Sequence, residues 1–298
     1  MGIGRRQIAF LAASRLLGAR FERTLTLGRQ RLWADEGILA AAFKEAGREI
    51  TPSDAKTITK GHVFADELFR YLGARDIDSI DASHYEGSNL IHDMNGPLPD
   101  ELCAKYSVVF DAGTLEHIFN FPVALRNCLS AVRVGGHFVG VTPGNNWFGH
   151  GFYQFSPELY YRAVSKESGF RVRCMLVRAD RRAARWYAVA DPADIGRRIT
   201  VSGTWPSLLY ILAERLDARE VLQEHPQQSD YRSAWSEADV SKVLRRNGPV
   251  LPTQFKRLWD SFPLQQARDW LSVVSGRDPS LRPVRLSRLC DLPVRMGP

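Results

Sequence analysis

Two hydrophobic periods alternate along this chain. Apolar positions return at helical spacing over Gln7–Leu17, over residues 33–47, and over residues 61–72, where Phe64, Leu68 and Leu72 mark one face. Polar Thr51–Lys60 lies between the last two. Short apolar or alternating runs stand between the helical stretches: 21–28 ending in Gly28, 76–81 ending in Asp81, 89–92, 106–110, 137–142, 171–178, 186–190, and 207–213 within Thr204–Glu214. These read as strands. Tyr106–Phe110 is apolar except at Ser107, as expected of a strand buried on both faces. Pro122–Val132 reads as a helix, closed by Gly135-Gly136. Ser156-Pro157-Glu158 starts another, with Ser as cap, Pro in the first turn and an acid at the positive end. Strands alternating with helices predict an α/β fold with a doubly wound, mostly parallel sheet. That unit is expected over 1–217, with a helical insertion at about 33–73 forming a lid or substrate wall. A mainly helical extension follows over 218–298, with helical segments in 236–274. Proline and arginine dominate from Gly276, and no core is expected there.

Ligands of such sheets bind in the crevice beyond the carboxyl ends of the strands. The candidate residues therefore stand where strands stop. Asp111 follows the apolar run, with small Ala112 and Gly113 after it, and then titratable Glu116-His117. Asp81 can accept two ribose hydroxyls through its two carboxylate oxygens, or serve only as a cap. Asp93-Met94 follows the 89–92 run and also reads as a turn before Gly96-Pro97. Gly28 either ends its strand or opens a binding loop. Past 137–142, the loop Gly144–Phe155 carries Trp147, His150 and Tyr153 among glycines and further aromatics, a composition suited both to ligand binding and to packing on the core.

Asp111, Leu115, Glu116, His117 and Ile118 spell D-x-x-x-L-E-H-I, and Gly135-Gly136-His137-Phe138 follows as G-G-x-F. Tyr106–Thr142 thereby resembles the fourth strand, fourth helix and fifth strand of class I S-adenosylmethionine-dependent methyltransferases, in their small-molecule branch. Val134 replaces the family's usual proline. The resemblance implies a Rossmann-like seven-stranded sheet with an antiparallel last strand at its edge. It implies S-adenosyl-L-methionine as cofactor and a small-molecule or glycan acceptor, methylated at oxygen. The family's G-x-G-x-G loop is reduced here to Gly28-Arg29-Gln30-Arg31. Gly28 stands as its remnant, and Arg29 either pairs with the cofactor carboxylate or obstructs the site. By the same resemblance Asp93, with Met94 beside it, takes the adenine, and Asp111, Ala112 and Gly113 line the cofactor. His150 and His117 are candidate bases for a hydroxyl acceptor, Glu116 orients a histidine or the substrate, and Trp147 and Tyr153 face the acceptor. An aromatic ring near the sulfonium would attract it by cation–π interaction.

Composition narrows this picture. A chain of 298 residues with 44% apolar and 24% charged positions is that of an ordinary globular protein. No apolar stretch is long enough to span a membrane. Arg5-Arg6 before Ile8–Ala13 echoes an export signal, but Arg15 interrupts the run, and the plain reading is an amphipathic helix. Cys103, Cys128, Cys174 and Cys290 form no C-x-x-C pair, so neither a metal site nor a disulfide framework is expected; a reducing, cytoplasmic compartment is. The net charge of +7 admits an RNA methyltransferase, but its excess arginine suits solvated faces better than nucleic acid. A catalytically degenerate binding or scaffold protein is the alternative that the depleted glycine loop favours. A nicotinamide enzyme is disfavoured because G-x-G-x-x-G is absent.

Overall fold

The structure, a computed structural model, describes residues 2–181, 183–201, 203–231 and 280–291. Apart from a two-stranded pairing of Gly2–Ile3 with Arg31–Leu32, its strands are β1 (Arg23–Leu27), β2 (Asp76–Asp81), β3 (Leu90–Ile91), β4 (Tyr106–Ala112), β5 (Val132–Pro143), β6 (Phe170–Ala179), β7 (Trp186–Val189), β8 (Ser207–Arg215) and β9 (Leu281–Val284). They form one nine-stranded sheet in the order β9-β7-β6-β8-β5-β4-β1-β2-β3. From β3 to β5 all pairs are parallel; β8 is antiparallel to both β5 and β6. The chain leaves β1 toward β2 and β3, then returns to the other side of β1 with β4 and β5. This reversal between β1 and β4 is the switch point of a doubly wound, Rossmann-like sheet.

Where the resemblance implied seven strands, the sheet of the described residues has nine, extended by β7 at the 186–190 run and by β9 in the tail. The strand at 207–215 lies inside it, between β5 and β6, rather than at the edge. The tail is not coreless either. β9 pairs with β7 through Leu281–Val189 and Val284–Trp186, and Leu286 and Leu289 are buried. Pro283 is tolerated because β9 is an edge strand, where a missing N–H breaks no inner ladder. The helical segments expected over 236–274 lie outside the described residues.

Both faces of the sheet are covered. Val108 and Phe110 of β4 face one core, with α1 (Arg5–Ser14), α2 (Glu36–Glu45), α3 (Pro52–Thr59) and α4 (Asp66–Tyr71). Val109 between them faces the other core, with α5 (Phe121–Ala131) and α6 (Pro157–Ala163). Period-two alternation with apolar residues on both sides is what a strand sandwiched between helical layers requires. Helix α1 is buried along Ile8–Ser14, and Phe10 meets Tyr210 of β8 edge-on at 5.3 Å. It is an inner element rather than an amphipathic surface helix. Among the described residues no helix is long and apolar enough to cross a membrane.

The insertion holds three helices where two were expected. The polar stretch forms α3, capped by Thr51, whose Oγ1 accepts from the Asp54 amide at 3.1 Å, with Pro52 in the first turn. Leu39, Phe43, Ile58, Leu68 and Phe69 sink into the sheet's covering layer, so this segment is packed wall and not a detached lid.

Candidate functional site

The carboxyl ends of β1, β2 and β4 meet at Gly28. This residue has φ of +66°, and its amide donates to the Ile80 carbonyl at 2.7 Å. A Cβ there would sit 3.6 Å from Asp81 Oδ2 and 3.6 Å from Thr114 Oγ1. The missing side chain thus leaves a cradle between a carboxylate and a hydroxyl. Thr114 Oγ1 donates to the Leu27 carbonyl at 3.0 Å, joining the end of β1 to the loop after β4. Gly28, Asp81 and Gly113-Thr114 are brought together although far apart in the chain.

Arg29 does not fill this cradle. Its guanidinium lies 4.1 Å from the Phe64 ring centroid, pairs with Asp66 at 3.3 Å, and packs against the Gly87 turn. Gln30 turns inward and donates to the Leu27 carbonyl at 2.6 Å. Asp93 is exposed, and its Oδ1 accepts from the backbone and side-chain amides of Asn95, which hold its carboxyl below the ordinary range. Met94 is buried in the core beside Leu25, Leu27 and Ile80. Asn127 of α5 fastens this loop: it accepts from the Leu98 amide and donates to the carbonyls of Met94 and Gly96. Sequence reasoning missed Asn127, a polar residue on the buried face of an otherwise apolar helix.

Asp111 faces inward. It is fully buried, and Oδ1 accepts from the amides of Thr114 and Leu115 at 3.0 and 3.4 Å, while Oδ2 has no partner among the described residues. Its carboxylate shapes the Gly113 turn (φ +95°) rather than facing the crevice, and Ala112 is buried in the core. Glu116 is also fully buried, and neither carboxylate oxygen has a hydrogen-bond partner among the described residues. Burial raises both carboxyls far above the ordinary range, and for Glu116 the Asp111 charge adds to the rise.

Above this pair stand the histidines. His150 Nε2 lies 3.6 Å from Glu116 Oε1, and the rings of His150 and His117 meet at 4.9 Å, nearly perpendicular. Burial, and then His150, lower the His117 pKa. The loop carrying His150 is locked onto Glu116. The Phe152 amide donates to the Glu116 carbonyl at 2.7 Å, and a Cβ on Gly151 (φ +72°) would stand 2.7 Å from that same oxygen. Only glycine allows so close an approach. Trp147 Nε1 donates to the Ser207 carbonyl at 2.9 Å, anchoring the loop to the strand beside it. The Tyr153 hydroxyl donates to the Phe119 carbonyl at 2.6 Å, and its ring packs with Phe121 and Phe155. These contacts give both expected acceptor residues anchoring roles. Phe119, Phe148 and Phe152 instead present exposed rings.

The cysteine spacing gave no metal site, but one grouping of possible ligand atoms lies elsewhere among the described residues. Donor atoms of Glu116, His117 and His150 all lie within 4.8 Å of one another. No ligand spacing announces this, because His150 comes from a different loop.

No family model and no curated protein matches this chain. Several solved structures align with it at low similarity. A branched-chain polyamine synthase from Thermus thermophilus, solved with N4-aminopropylspermidine and 5'-methylthioadenosine, is 12% identical, with 76% of this chain and 60% of that one covered and a TM-score of 0.36. A trans-methyltransferase, CalH, in complex with SAH is 14% identical over 71% of this chain and 55% of its own, with a TM-score of 0.34. A putative S-adenosylmethionine-dependent methyltransferase from Listeria monocytogenes is 12% identical over 70% and 99%, with a TM-score of 0.37. The chain thus spans little more than half of the first two. Its fold is defined by its own strand order.

Proposed function

We propose that this chain is an S-adenosyl-L-methionine-dependent methyltransferase acting on a small-molecule or glycan hydroxyl. The observation that carries this reading is the cradle at Gly28. A backbone without a side chain, a carboxylate at the end of β2 and a loop after β4 face one another at the switch point, which suits a nucleoside. Asp81 offers acceptor oxygens to ribose hydroxyls. Asp93 and the Asn127-fastened loop stand on the β3 side, toward which the adenine would extend. Arg29 is held aside by Phe64 and Asp66, which supports Gly28 as the remnant of the glycine loop.

When bound, the cofactor supplies a methyl group on a cationic sulfur. The protein's part is to align an acceptor oxygen with it and to accept the hydroxyl proton. His150 and His117, beside the buried carboxylate pair, are the candidates to take that proton, and Glu116, 3.6 Å from His150 Nε2, holds that ring in position. The exposed rings of Phe119, Phe148 and Phe152 offer an apolar rim for the acceptor.

Titration calorimetry with S-adenosylmethionine and S-adenosylhomocysteine tests this reading. Binding that Asp81→Asn weakens is expected. No heat and no thermal shift at millimolar ligand would favour the second reading, a binding or scaffold protein of this fold, for which the loss of the loop glycines speaks. An RNA acceptor is less favoured because much of the arginine excess is paired within the fold, as Arg171 and Arg173 are with Glu214.

A further inference from the structure

We propose that Glu116, His117 and His150 form a site for one divalent first-row transition cation. The site concerns the resting protein; a bound ion would occupy imidazole nitrogens that the methyl-transfer reading uses as bases, so the two are tested by separate measurements.

The donor set is one carboxylate and two imidazoles, whose ligand atoms already lie within 4.8 Å of one another. Bonds of roughly 2.0–2.2 Å to such donors place neighbouring ligand atoms roughly 3–3.5 Å apart. The Glu116–His150 pair, at 3.6 Å, is already close to that spacing, and His117 must approach from within 4.8 Å. Independent of this proximity, Glu116 is 0% exposed, yet both its oxygens lack a hydrogen-bond partner among the described residues. A native fold leaves such oxygens unpaired only rarely, and buried carboxylates are ordinarily paired or coordinate a metal. His150 Nε2 is buried without a hydrogen bond and faces the same carboxylate. Asp111, with its own unpartnered Oδ2, lies in the same buried region.

The scaffold is rigid where a metal site needs rigidity. The Phe152–Glu116 backbone hydrogen bond and the close fit of Gly151 fix the two loops against each other. The donors contain no thiolate, so nitrogen- and oxygen-preferring ions such as zinc, manganese, iron(II) and cobalt(II) suit them better than copper(I). Three protein ligands would leave at least one coordination position open, and His117 is exposed to solvent.

The test uses the full chain stripped by a chelator and titrated with cobalt(II), read by its visible ligand-field bands, and with zinc by calorimetry. One ion per chain is expected. Glu116→Gln, His150→Gln and His117→Gln should each weaken binding by at least about 10–100-fold. His117 is exposed, so its substitution is the least threat to folding and decides the matter if the buried variant fails to fold. Absence of stoichiometric binding, or equal affinity in a folded His117→Gln variant, would overturn the site. Calorimetry with S-adenosylmethionine on the stripped protein reads the methyltransferase proposal separately.

Discussion

The buried carboxylate pair makes a direct statement about stability and pH. Asp111 and Glu116 are both 0% exposed, and both carboxyls release their proton only near or above neutrality in the folded protein. In the unfolded chain they ionise near the ordinary values of 3.8 and 4.5. Between those limits the folded state holds protons that the unfolded state has released. Stability therefore falls as pH rises, by at most about 1.4 kcal/mol per pH unit for each group. The contribution is fully present below the unfolded values and is lost as pH climbs through the folded ones. For Glu116 alone the limit between pH 5 and 7 is about 2.7 kcal/mol. Solvent reaches the neighbouring His117 and His150, so half the limit, about 1.4 kcal/mol, is the working figure. Glu116→Gln keeps the shape and cannot ionise. In chelator, urea melts from pH 5 to 8 should show the variant gaining on the parent by about that amount between pH 5 and 7. A difference that stays flat within about 0.5 kcal/mol over this range would refute the buried placement of Glu116. A variant that loses ground to the parent as pH rises would refute the sign.

Three further outcomes follow from the same contacts. Gly28→Val forces a branched residue to φ +66° and fills the cradle; a stability loss of about 1–2 kcal/mol and the disappearance of any thermal shift with S-adenosylmethionine are expected. Asp81→Asn should keep the melting temperature but weaken cofactor binding by about 10–100-fold in calorimetry, through the loss of charge-assisted hydrogen bonds to a ribose. Phe110→Ala empties a fully buried site where Phe110 meets Phe69 edge-on at 5.6 Å, and should cost about 3–5 kcal/mol in denaturant unfolding.

Much of the fold was legible from local pattern. The 76–81 strand has the expected bounds, and β4 extends the expected run by two residues. The Ser156 cap is present, its Oγ accepting from the Leu159 amide at 3.3 Å. Cys128 and Cys174 are buried within the helix and the strand that the 122–132 and 171–178 patterns mark. Helix α3 was missed although its signals were present: Thr51 as cap, Pro52 in the first turn and Asp54 beside it. Low apolar content obscured them. Strand β9 was hidden differently. Its Pro and Arg residues speak against a strand in isolation, and only pairing with distant β7 makes an extended edge favourable.

Within the candidate site, the sequence by itself determined which residues stand at strand ends, because hydrophobic period and terminating residues are local properties. Which way each one turns was decided by tertiary structure alone. Asp111 is drawn inward by the amides of the loop that follows it, Arg29 is drawn aside by Phe64 and Asp66, and His150 meets Glu116 because a glycine lets two backbones touch. Side-chain direction is set by partners the chain brings from afar, and a period of two or of 3.6 residues specifies a face without saying what lies across it.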